Sequence, residues 1–138
     1  MTITVHPTLP QAARDIRQQV FVEEQGFQEE FDQIDQRARH LLLYQQGRPV
    51  ATCRLYADGE KHAQVVGRLA VLPAWRGRAL GAALLRAAEE EARRLGGGQV
   101  LLAAQVRARG FYEKQGYTAR GAEFLEEDCP HIWMGKLL

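Results

Sequence analysis

A short turn rich in glycine and arginine carries the clearest chemical signal in the sequence. It spans residues 76–81, reads Arg-Gly-Arg-Ala-Leu-Gly, and lies between a predicted strand that ends at Val71 and the longest predicted helix. The first N–H groups of a helix have no partner within it, and the helix dipole places partial positive charge there. Glycines permit close approach to the backbone, and Arg76 and Arg78 add two full charges. The turn predicts a seat for a pyrophosphate, the alternative being an ordinary helix start with two solvated arginines.

The same turn differs from two other phosphate-binding loops. No Gly-Lys-Ser/Thr follows it, as it would in a Walker A loop. Its spacing is Arg-Gly-x-Ala-x-Gly, which is not the Gly-x-Gly-x-x-Gly of a dinucleotide fingerprint. The turn is therefore neither a Walker A loop nor a dinucleotide fingerprint.

A second group of chemically useful residues is acidic and lies in the N-terminal third of the chain. Asp32 and Asp35 are three residues apart and fit one face of a helical turn. Glu24 and Glu30 precede them. Neighbouring carboxylates repel each other unless cations or donors separate them, and the candidate partners are Arg17, Arg54, Arg68 and His40. The segment predicts either an acidic site for a cationic substrate or a solvated acidic loop.

Other common chemistries find little support in the residues. The chain contains no serine, and its two cysteines, Cys53 and Cys129, lack a CxxC spacing and are expected to be free thiols. No spacing of histidine and acidic residues resembles a metal site, so no metal is expected. The net charge of +1 argues against a broad nucleic-acid-binding face. The lack of a signal peptide or a long apolar stretch predicts a cytoplasmic protein with no membrane contact.

The elements that must position these residues form one predicted domain over residues 1–138. Predicted strands cover 2–6, 40–44, 50–56, 64–71, 100–104, 117–124 and 131–138, and predicted helices cover 9–22, 80–95 and 107–115. The helix over 80–95 is rich in good helix formers and ends at three glycines. A strand–helix–strand unit over residues 65–104 predicts two parallel strands in an α/β domain that is otherwise largely antiparallel.

The strand end and the turn together resemble the acetyl-CoA motif of the GNAT superfamily of N-acetyltransferases. The resemblance implies an α/β (α+β) fold in which helices flank a mixed, mostly antiparallel sheet with one splayed parallel pair. It implies acetyl-CoA as co-substrate, whose pantetheine arm pairs with the edge of the strand at Leu69, Ala70 and Val71. The pyrophosphate would then lie on Arg76, Gly77, Arg78, Ala79, Leu80 and Gly81. Ala79 stands where the family pattern has its first glycine.

Residues 108–117, Ala-Arg-Gly-Phe-Tyr-Glu-Lys-Gln-Gly-Tyr, resemble the second signature of the same family. The tyrosine that follows the phenylalanine often serves there as general acid, so the resemblance implies that Tyr112 protonates the departing thiolate. The alternative is that Phe111 and Tyr112 are only core aromatics. Gln105, at the end of the preceding strand, is expected either to hydrogen-bond the CoA arm or to cap the next helix.

The N-terminal half resembles two groups within this fold. The pattern Arg-x-x-Val-Phe from Arg17, with the later acidic residues and Cys53-Arg54, is similar to that of acyl-homoserine lactone synthases. It is also similar to the small ElaA-like and YjcF-like GNAT proteins, which match nearly the whole chain and are the preferred interpretation. A CoA-binding module without catalysis is a further alternative, since Ala79 departs from the motif and residues 65–71 contain no glutamate.

The resemblance predicts acetyl transfer to a primary amine by direct attack, without a covalent intermediate. The expected acceptor is a small molecule, such as an amino sugar phosphate or a polyamine. Glu24, Asp32 and His131 are the candidate acceptor-binding residues, and Glu23 joins them as a candidate general base. A homodimer is common in the family, and Trp133 on the last strand could contribute to one.

Overall fold

The computed structural model describes residues 1–28 and 30–138, in which eight strands form one open sheet. The strands are β1 (Thr2–His6), β2 (Arg39–Gln45), β3 (Arg48–Asp58), β4 (Ala63–Val71), β5 (Gln99–Gln105), β6 (Thr118–Ala119), β7 (Phe124–Glu126) and β8 (Cys129–Leu137). Their order is β1-β2-β3-β4-β5-β8-β6, with β7 paired to β8. The helices are α1 (Gln11–Arg17), α2 (Leu80–Arg94) and α3 (Arg109–Lys114), and a π-helix (Gln18–Glu24) continues α1. Three short 3₁₀ turns cover Gln33–Gln36, Pro73–Trp75 and Val106–Ala108.

The predicted parallel pair lies at the centre of the sheet. β4 and β5 run parallel, whereas β1 to β4 are joined antiparallel, as are β5 and β8. In the described part of the chain, β4 and β5 pair at two positions, Gln64 with Val100 and Val65 with Leu101. Beyond these positions the two strands separate, so their C-terminal ends leave a gap in the sheet. This confirms the mixed, mostly antiparallel fold with one splayed parallel pair.

A β-bulge bends β4 where it leaves β5. Thr52 pairs with Ala70 and Arg54 pairs with Gly67, so two residues of β4 lie opposite the single residue Cys53. One of them, Arg68, has a φ of +53°, which is the left-handed region. Bulges of this kind bend a strand and change the direction of its side chains. The bulge therefore changes the course of residues 69–71 at the edge of the gap.

The two faces of the sheet are covered differently. On one face, the apolar stripe of α2, which includes Leu84, Leu85 and Ala88, packs against β2, β3, β5 and β8. On the other face, α1 and the π-helix bury Ile16 and Phe21 against β2 and β4. The rest of this second face, over β5 and β8, carries no helix in the described chain. The gap between β4 and β5 therefore connects a covered face with an open one.

Three predicted elements differ in their extent. The helix predicted over 9–22 begins at Gln11 and becomes a π-helix at Gln18. Apolar spacing over one turn fits either helix type, so the sequence pattern does not predict the change. The strand predicted over 117–124 is two short strands, because Gly121 takes a φ of +95° between them. The helix predicted over 107–115 starts with a 3₁₀ turn, and α3 begins at Arg109.

Candidate active site

A cavity of about 1060 Å³ occupies the gap between β4 and β5 and extends to both faces of the sheet. On the covered face its wall, which we term the α2 half, includes Gly77, Ala79, Leu80, Gly81, Phe111 and Tyr112. On the open face its wall, which we term the loop half, includes Glu30, Asp32, Arg54, Tyr56, Arg68, Glu126, His131 and Trp133. Leu69, Ala70, Val71 and Gln105 line the cavity between the halves. The gap in the sheet thus brings the phosphate-binding motif and the acidic segment to one space.

The turn before α2 presents its backbone to the α2 half. Gly77 has a φ of +78°, which glycine adopts readily. Ala79, the N-cap residue of α2, has a φ of +60° and makes no side-chain cap. An alanine in this left-handed region costs about 1–2 kcal/mol, which explains why the related motif has glycine there. The first N–H groups of α2 have no capping side chain and are suited to an anion.

Gly81 lies in the first turn of α2, where the helix packs closely against α3 and the end of β4. A Cβ atom at this position would lie 3.6 Å from Phe111 Cζ and 3.7 Å from Val71 Cγ2. These distances are ordinary van der Waals contacts, so a methyl group fits and a larger side chain does not. The glycine therefore permits this close packing, and the backbone N–H groups at the start of α2 fit the pyrophosphate of CoA.

The two arginines of the turn have different surroundings. Arg76 donates two hydrogen bonds to the Glu24 carboxylate, at 2.8 and 2.7 Å, and a third to the carbonyl oxygen of Val71. These contacts lower the pKa of Glu24 and join the π-helix to the turn. Arg78 lies over the Trp75 ring, 4.8 Å from its centroid, and is not among the cavity-lining residues described. Of the two arginines, Arg76 therefore lines the cavity, and its charge is partly neutralised by the ion pair with Glu24.

Tyr112 is half-buried and lines the α2 half. Its ring meets Phe111 and Tyr117 edge-on, with centroids 5.0 and 6.1 Å away. Burial raises the pKa of Tyr112 above its usual value, so the phenol is protonated near neutral pH. A neutral phenol at the cavity wall can donate a hydrogen bond or a proton. Phe111 and Tyr112 both pack against the core, as the core-aromatic alternative predicts, and the general-acid role of Tyr112 stays a prediction.

Gln105 lines the cavity without capping the helix that follows. Its Nε2 donates to Gln25 Oε1 at 2.8 Å, and its Oε1 accepts from Arg107 Nε at 2.7 Å. The 3₁₀ turn that begins at Val106 has no side-chain cap from Gln105. The capping alternative is wrong, because the side-chain amide is held by neighbours across the cavity mouth.

The acidic segment forms a network of ions with arginines from three elements. We term it the charged cluster, and it contains Arg17, Glu30, Asp32, Asp35, Arg54 and Arg68. Arg17 contacts Glu30 at 3.0 Å and Asp35 at 2.8 Å, and its side chain is only 1% exposed. The three arginines are thus confirmed as partners of the carboxylates. The solvated-loop alternative is wrong, since this burial excludes water from most of the cluster.

The charged cluster determines how its aspartates titrate. Arg54 binds Asp32 through both carboxylate oxygens, at 2.6 and 3.1 Å. Burial acts to raise the pKa of Asp32, but hydrogen bonds and charge from Arg54 outweigh it, so the pKa is lowered. For Asp35 burial is also outweighed, chiefly by Arg17, and the pKa falls to about 2. His40 contacts the backbone oxygen of Asp35 rather than its carboxylate. Both aspartates are therefore weak bases.

His131 is buried in the wall of the loop half. Its Nδ1 lies 2.8 Å from the carbonyl oxygen of Cys129, which can only accept, so Nδ1 carries the hydrogen. Its Nε2 lies 3.5 Å from Glu126 Oε2, and its ring stacks on Phe124 at 5.8 Å. Nε2 is therefore the ring nitrogen of His131 that is left to contact Glu126 or a ligand in the cavity.

The structure separates the three predicted acceptor residues. Asp32 and His131 line the loop half. Glu24 instead borders an adjoining smaller cavity of about 590 Å³, together with Arg76. Glu30 also lines the loop half, although it is not among the acceptor-binding residues predicted from the sequence. Its position two residues before Asp32 in the acidic segment could have indicated it. Among residues 1–28 and 30–138, no helix could cross a membrane and no cluster of His, Cys, Asp or Glu could hold a metal ion.

Comparison with known proteins matches this geometry to one family. The family model for the acetyltransferase (GNAT) domain matches residues 8–138. The uncharacterized N-acetyltransferase YjcF of Bacillus subtilis is 33% identical, over 88% of this chain and 87% of that protein. A solved acyl-CoA N-acyltransferase from Pseudomonas aeruginosa is 31% identical, with a TM-score of 0.84, over 98% of this chain and 97% of that one. Escherichia coli ElaA is 26% identical, with a TM-score of 0.86, over 98% of each chain.

Proposed function

Because the chain belongs to the GNAT family and is an N-acetyltransferase, we propose that it transfers an acetyl group from acetyl-CoA to the primary amine of a small cationic molecule. One observation carries the proposal, namely that a single cavity joins the turn at residues 76–81 to the charged loop half through the gap in the sheet. A donor and an acceptor that enter from opposite faces would meet in that gap. Proximity of this kind is a large part of catalysis of group transfer.

The acyl-CoA would be held mainly by backbone. The uncapped N–H groups at the start of α2 would bind the pyrophosphate. Among the described residues, the edge of β4 beyond the bulge has no strand partner on the β5 side, so its backbone can pair with the pantetheine arm. Backbone N–H groups near Leu69 would then polarise the thioester carbonyl.

The chemistry proposed is direct attack by a neutral amine. Tyr112 would donate its proton to the sulfur as the carbon–sulfur bond breaks, which its burial and protonated state allow. A covalent enzyme intermediate on Cys53 is disfavoured, because burial raises the pKa of that thiol to about 12.

A polyamine is the acceptor class that we favour over an amino sugar phosphate. Of the described residues, four carboxylates line the cavity, those of Glu30, Asp32, Glu126 and Glu127, and so do four guanidinium groups, those of Arg54, Arg68, Arg76 and Arg107. Arg76 is already paired with Glu24, whereas the Glu126 side chain is 54% exposed and would pair with an ammonium group of the acceptor. The rings of Tyr56 and Trp133 also line the cavity, each with a cation of the chain over it.

Acetyl transfer tests the proposal directly. We expect micromolar binding of acetyl-CoA by calorimetry, and faster CoA release with a polyamine than with an amino sugar phosphate at equal concentration. In Tyr112→Phe, kcat should fall about 100-fold or more while acetyl-CoA affinity stays within about twofold, since the phenol acts on the leaving group. Equal turnover in Tyr112→Phe would remove the general-acid role.

The second candidate, a CoA-binding module without catalysis, is favoured by the strained alanine at position 79. The same assay separates the two functions. Binding of acetyl-CoA without acetyl transfer to any amine in the panel would support the module. Absence of acetyl-CoA binding would overturn both candidates.

A further inference from the structure

Two buried polar atoms lack hydrogen-bond partners within the described residues, and both belong to side chains in the loop half. They are Glu30 Oε2 and Arg54 Nε. The Glu30 side chain is 1% exposed, so bulk water does not satisfy its second oxygen. An unpaired buried acceptor is costly and is rare in native proteins. Of these two atoms, only the carboxylate oxygen can accept a proton.

The other contacts of Glu30 fix its position. Its Oε1 lies 3.0 Å from Arg17 Nε and 3.1 Å from Arg68 Nε. Its backbone oxygen accepts from Arg17 Nη2 at 3.0 Å and from Arg68 Nε at 3.1 Å. One carboxylate oxygen is therefore held twice, whereas Oε2 is left for another donor.

These contacts also place Glu30 beside the gap in the sheet. Arg68 is the bulged residue of β4, and the next residue, Leu69, begins the free edge where the acyl group is expected. Residues 65–71 themselves contain no acidic side chain. Glu30, from the loop between the π-helix and the first 3₁₀ turn, thus brings a carboxylate beside Arg68 of β4.

We propose that Glu30 is the general base of the reaction, and that its Oε2 accepts a proton from the ammonium group of the acceptor. The inference rests on the proposed function and deepens it. Asp32 is a weaker candidate, because Arg54 occupies both of its carboxylate oxygens. Asp35 is excluded from contact, because it is not among the residues that line the cavity.

The step balances without any further reactant. A proton moves from the acceptor's ammonium to Glu30 Oε2, and the nitrogen lone pair forms the bond to the carbonyl carbon. The carbon–sulfur bond breaks, its electron pair goes to sulfur, and Tyr112 supplies the thiol proton. The second nitrogen proton restores the phenol through solvent, and the proton on Glu30 leaves through the cavity that Glu30 lines once the product has departed.

Charged groups from several elements surround Glu30. The groups that face it are Arg17 from α1, Arg54 from β3, Arg68 from β4, and Asp32 and Asp35 at the 3₁₀ turn, with His40 of β2 behind Asp35. Burial raises the pKa of Glu30 and outweighs the opposing charges of Arg68, Arg17 and Arg54. A carboxylate with a raised pKa removes protons more effectively than an ordinary one.

The decisive experiment compares pH profiles of kcat/KM for Glu30→Gln and the wild type. An alkylammonium has a pKa near 10, so at pH 7 only about one molecule in a thousand is neutral. Without a base, the rate should rise about tenfold per pH unit towards the pKa of the amine. The wild type should instead level off once Glu30 is ionised. We expect Glu30→Gln to be about 100- to 1000-fold slower at pH 7 and to approach the wild type at high pH.

Asp35→Asn provides the matched control, since it removes a carboxylate from the same cluster outside the cavity. It should keep the plateau of the wild-type profile, and acetyl-CoA affinity should be unchanged in both variants. A fluorinated ethylamine, whose ammonium is more acidic, should reduce the defect of Glu30→Gln.

A Glu30→Gln profile parallel to that of the wild type would overturn the inference. So would loss of the plateau in His131→Gln alone. Absence of acetyl transfer by the wild type would instead count against the proposed function.

Discussion

The two halves of the cavity are built in different ways. The α2 half comes mainly from the turn at residues 76–79 and the start of α2, with Phe111 and Tyr112 of α3, and uses backbone geometry, two glycines and a helix end. The loop half is assembled from the segment around the first 3₁₀ turn, β3, β4, β7 and β8, and depends on buried ion pairs between distant residues, one of them to Arg17 of α1. The difference indicates a division of roles, in which ligand binding in the α2 half is separable from the stability conferred by the charged cluster.

The largest effect is expected from a bulky side chain at position 81, in the first turn of α2. In Gly81→Trp the indole would occupy the space between Phe111 and Val71, so the Kd for acetyl-CoA should rise about 100-fold or more. Calorimetric titration measures the loss. Gly81→Ala is the control, because its methyl group meets only ordinary contacts and should change the Kd by less than about threefold. Undiminished binding in Gly81→Trp would show that the ligand takes another course.

Asp35→Asn should show the opposite pattern, with lower stability and normal acetyl-CoA binding. Removing this carboxylate leaves Arg17 and Arg54 partly unpaired, at a cost of about 3 kcal/mol in the free energy of unfolding. Urea unfolding at pH 7, with acetyl-CoA titration alongside, measures both quantities. A loss of affinity equal to the loss of stability would break the proposed separation of the two halves.

In Asp35→Asn the free energy of unfolding should also depend less steeply on pH below about pH 4. The pKa of Asp35 is lowered from 3.8 to about 2 in the folded protein, so its stabilisation is complete above about pH 4. That stabilisation is lost as the pH falls towards 2, and it amounts to about 2 kcal/mol. Unfolding free energies of the wild type should fall by that much more than those of Asp35→Asn over this range.

The smallest effect is expected at Ala79. Ala79→Gly relieves about 1–2 kcal/mol of left-handed strain and adds about 0.5–1 kcal/mol of entropic cost in the unfolded chain. The net gain, between about 0 and 1.5 kcal/mol, should raise the Tm by up to about 5 °C. Scanning calorimetry measures it. A lower Tm would mean that the φ of +60° is not strained in solution.

The sequence was most informative where structure follows from neighbouring residues. The helix at α2, the turn before it and the parallel pair agree with the predictions, since propensity, glycines and strand–helix–strand handedness act locally. The arginine partners of the acidic segment were also predicted as a set. Carboxylates that lie close together repel each other and need cations beside them, so the arginines could be selected from the sequence as candidate partners.

Other features depend on distances that no local pattern specifies. The π-helical continuation of α1 and the bulge at Arg68 arise from tertiary packing, and apolar periodicity does not distinguish them from regular elements. The importance of Glu30 depends on which of its oxygens is satisfied, and that requires coordinates. Pairing of Glu24 with Arg76, 52 residues apart, is likewise a tertiary contact.

The two paired positions between β4 and β5 also bear on how the molecule unfolds. They are the seam between one sub-sheet over residues 2–71 and another over residues 99–137. A seam with so few backbone hydrogen bonds makes the two parts less cooperative, so amides at the strand ends should exchange through local opening. A ligand that lies along this seam would serve as the missing strand. Its binding would couple the two sub-sheets into one cooperative unit.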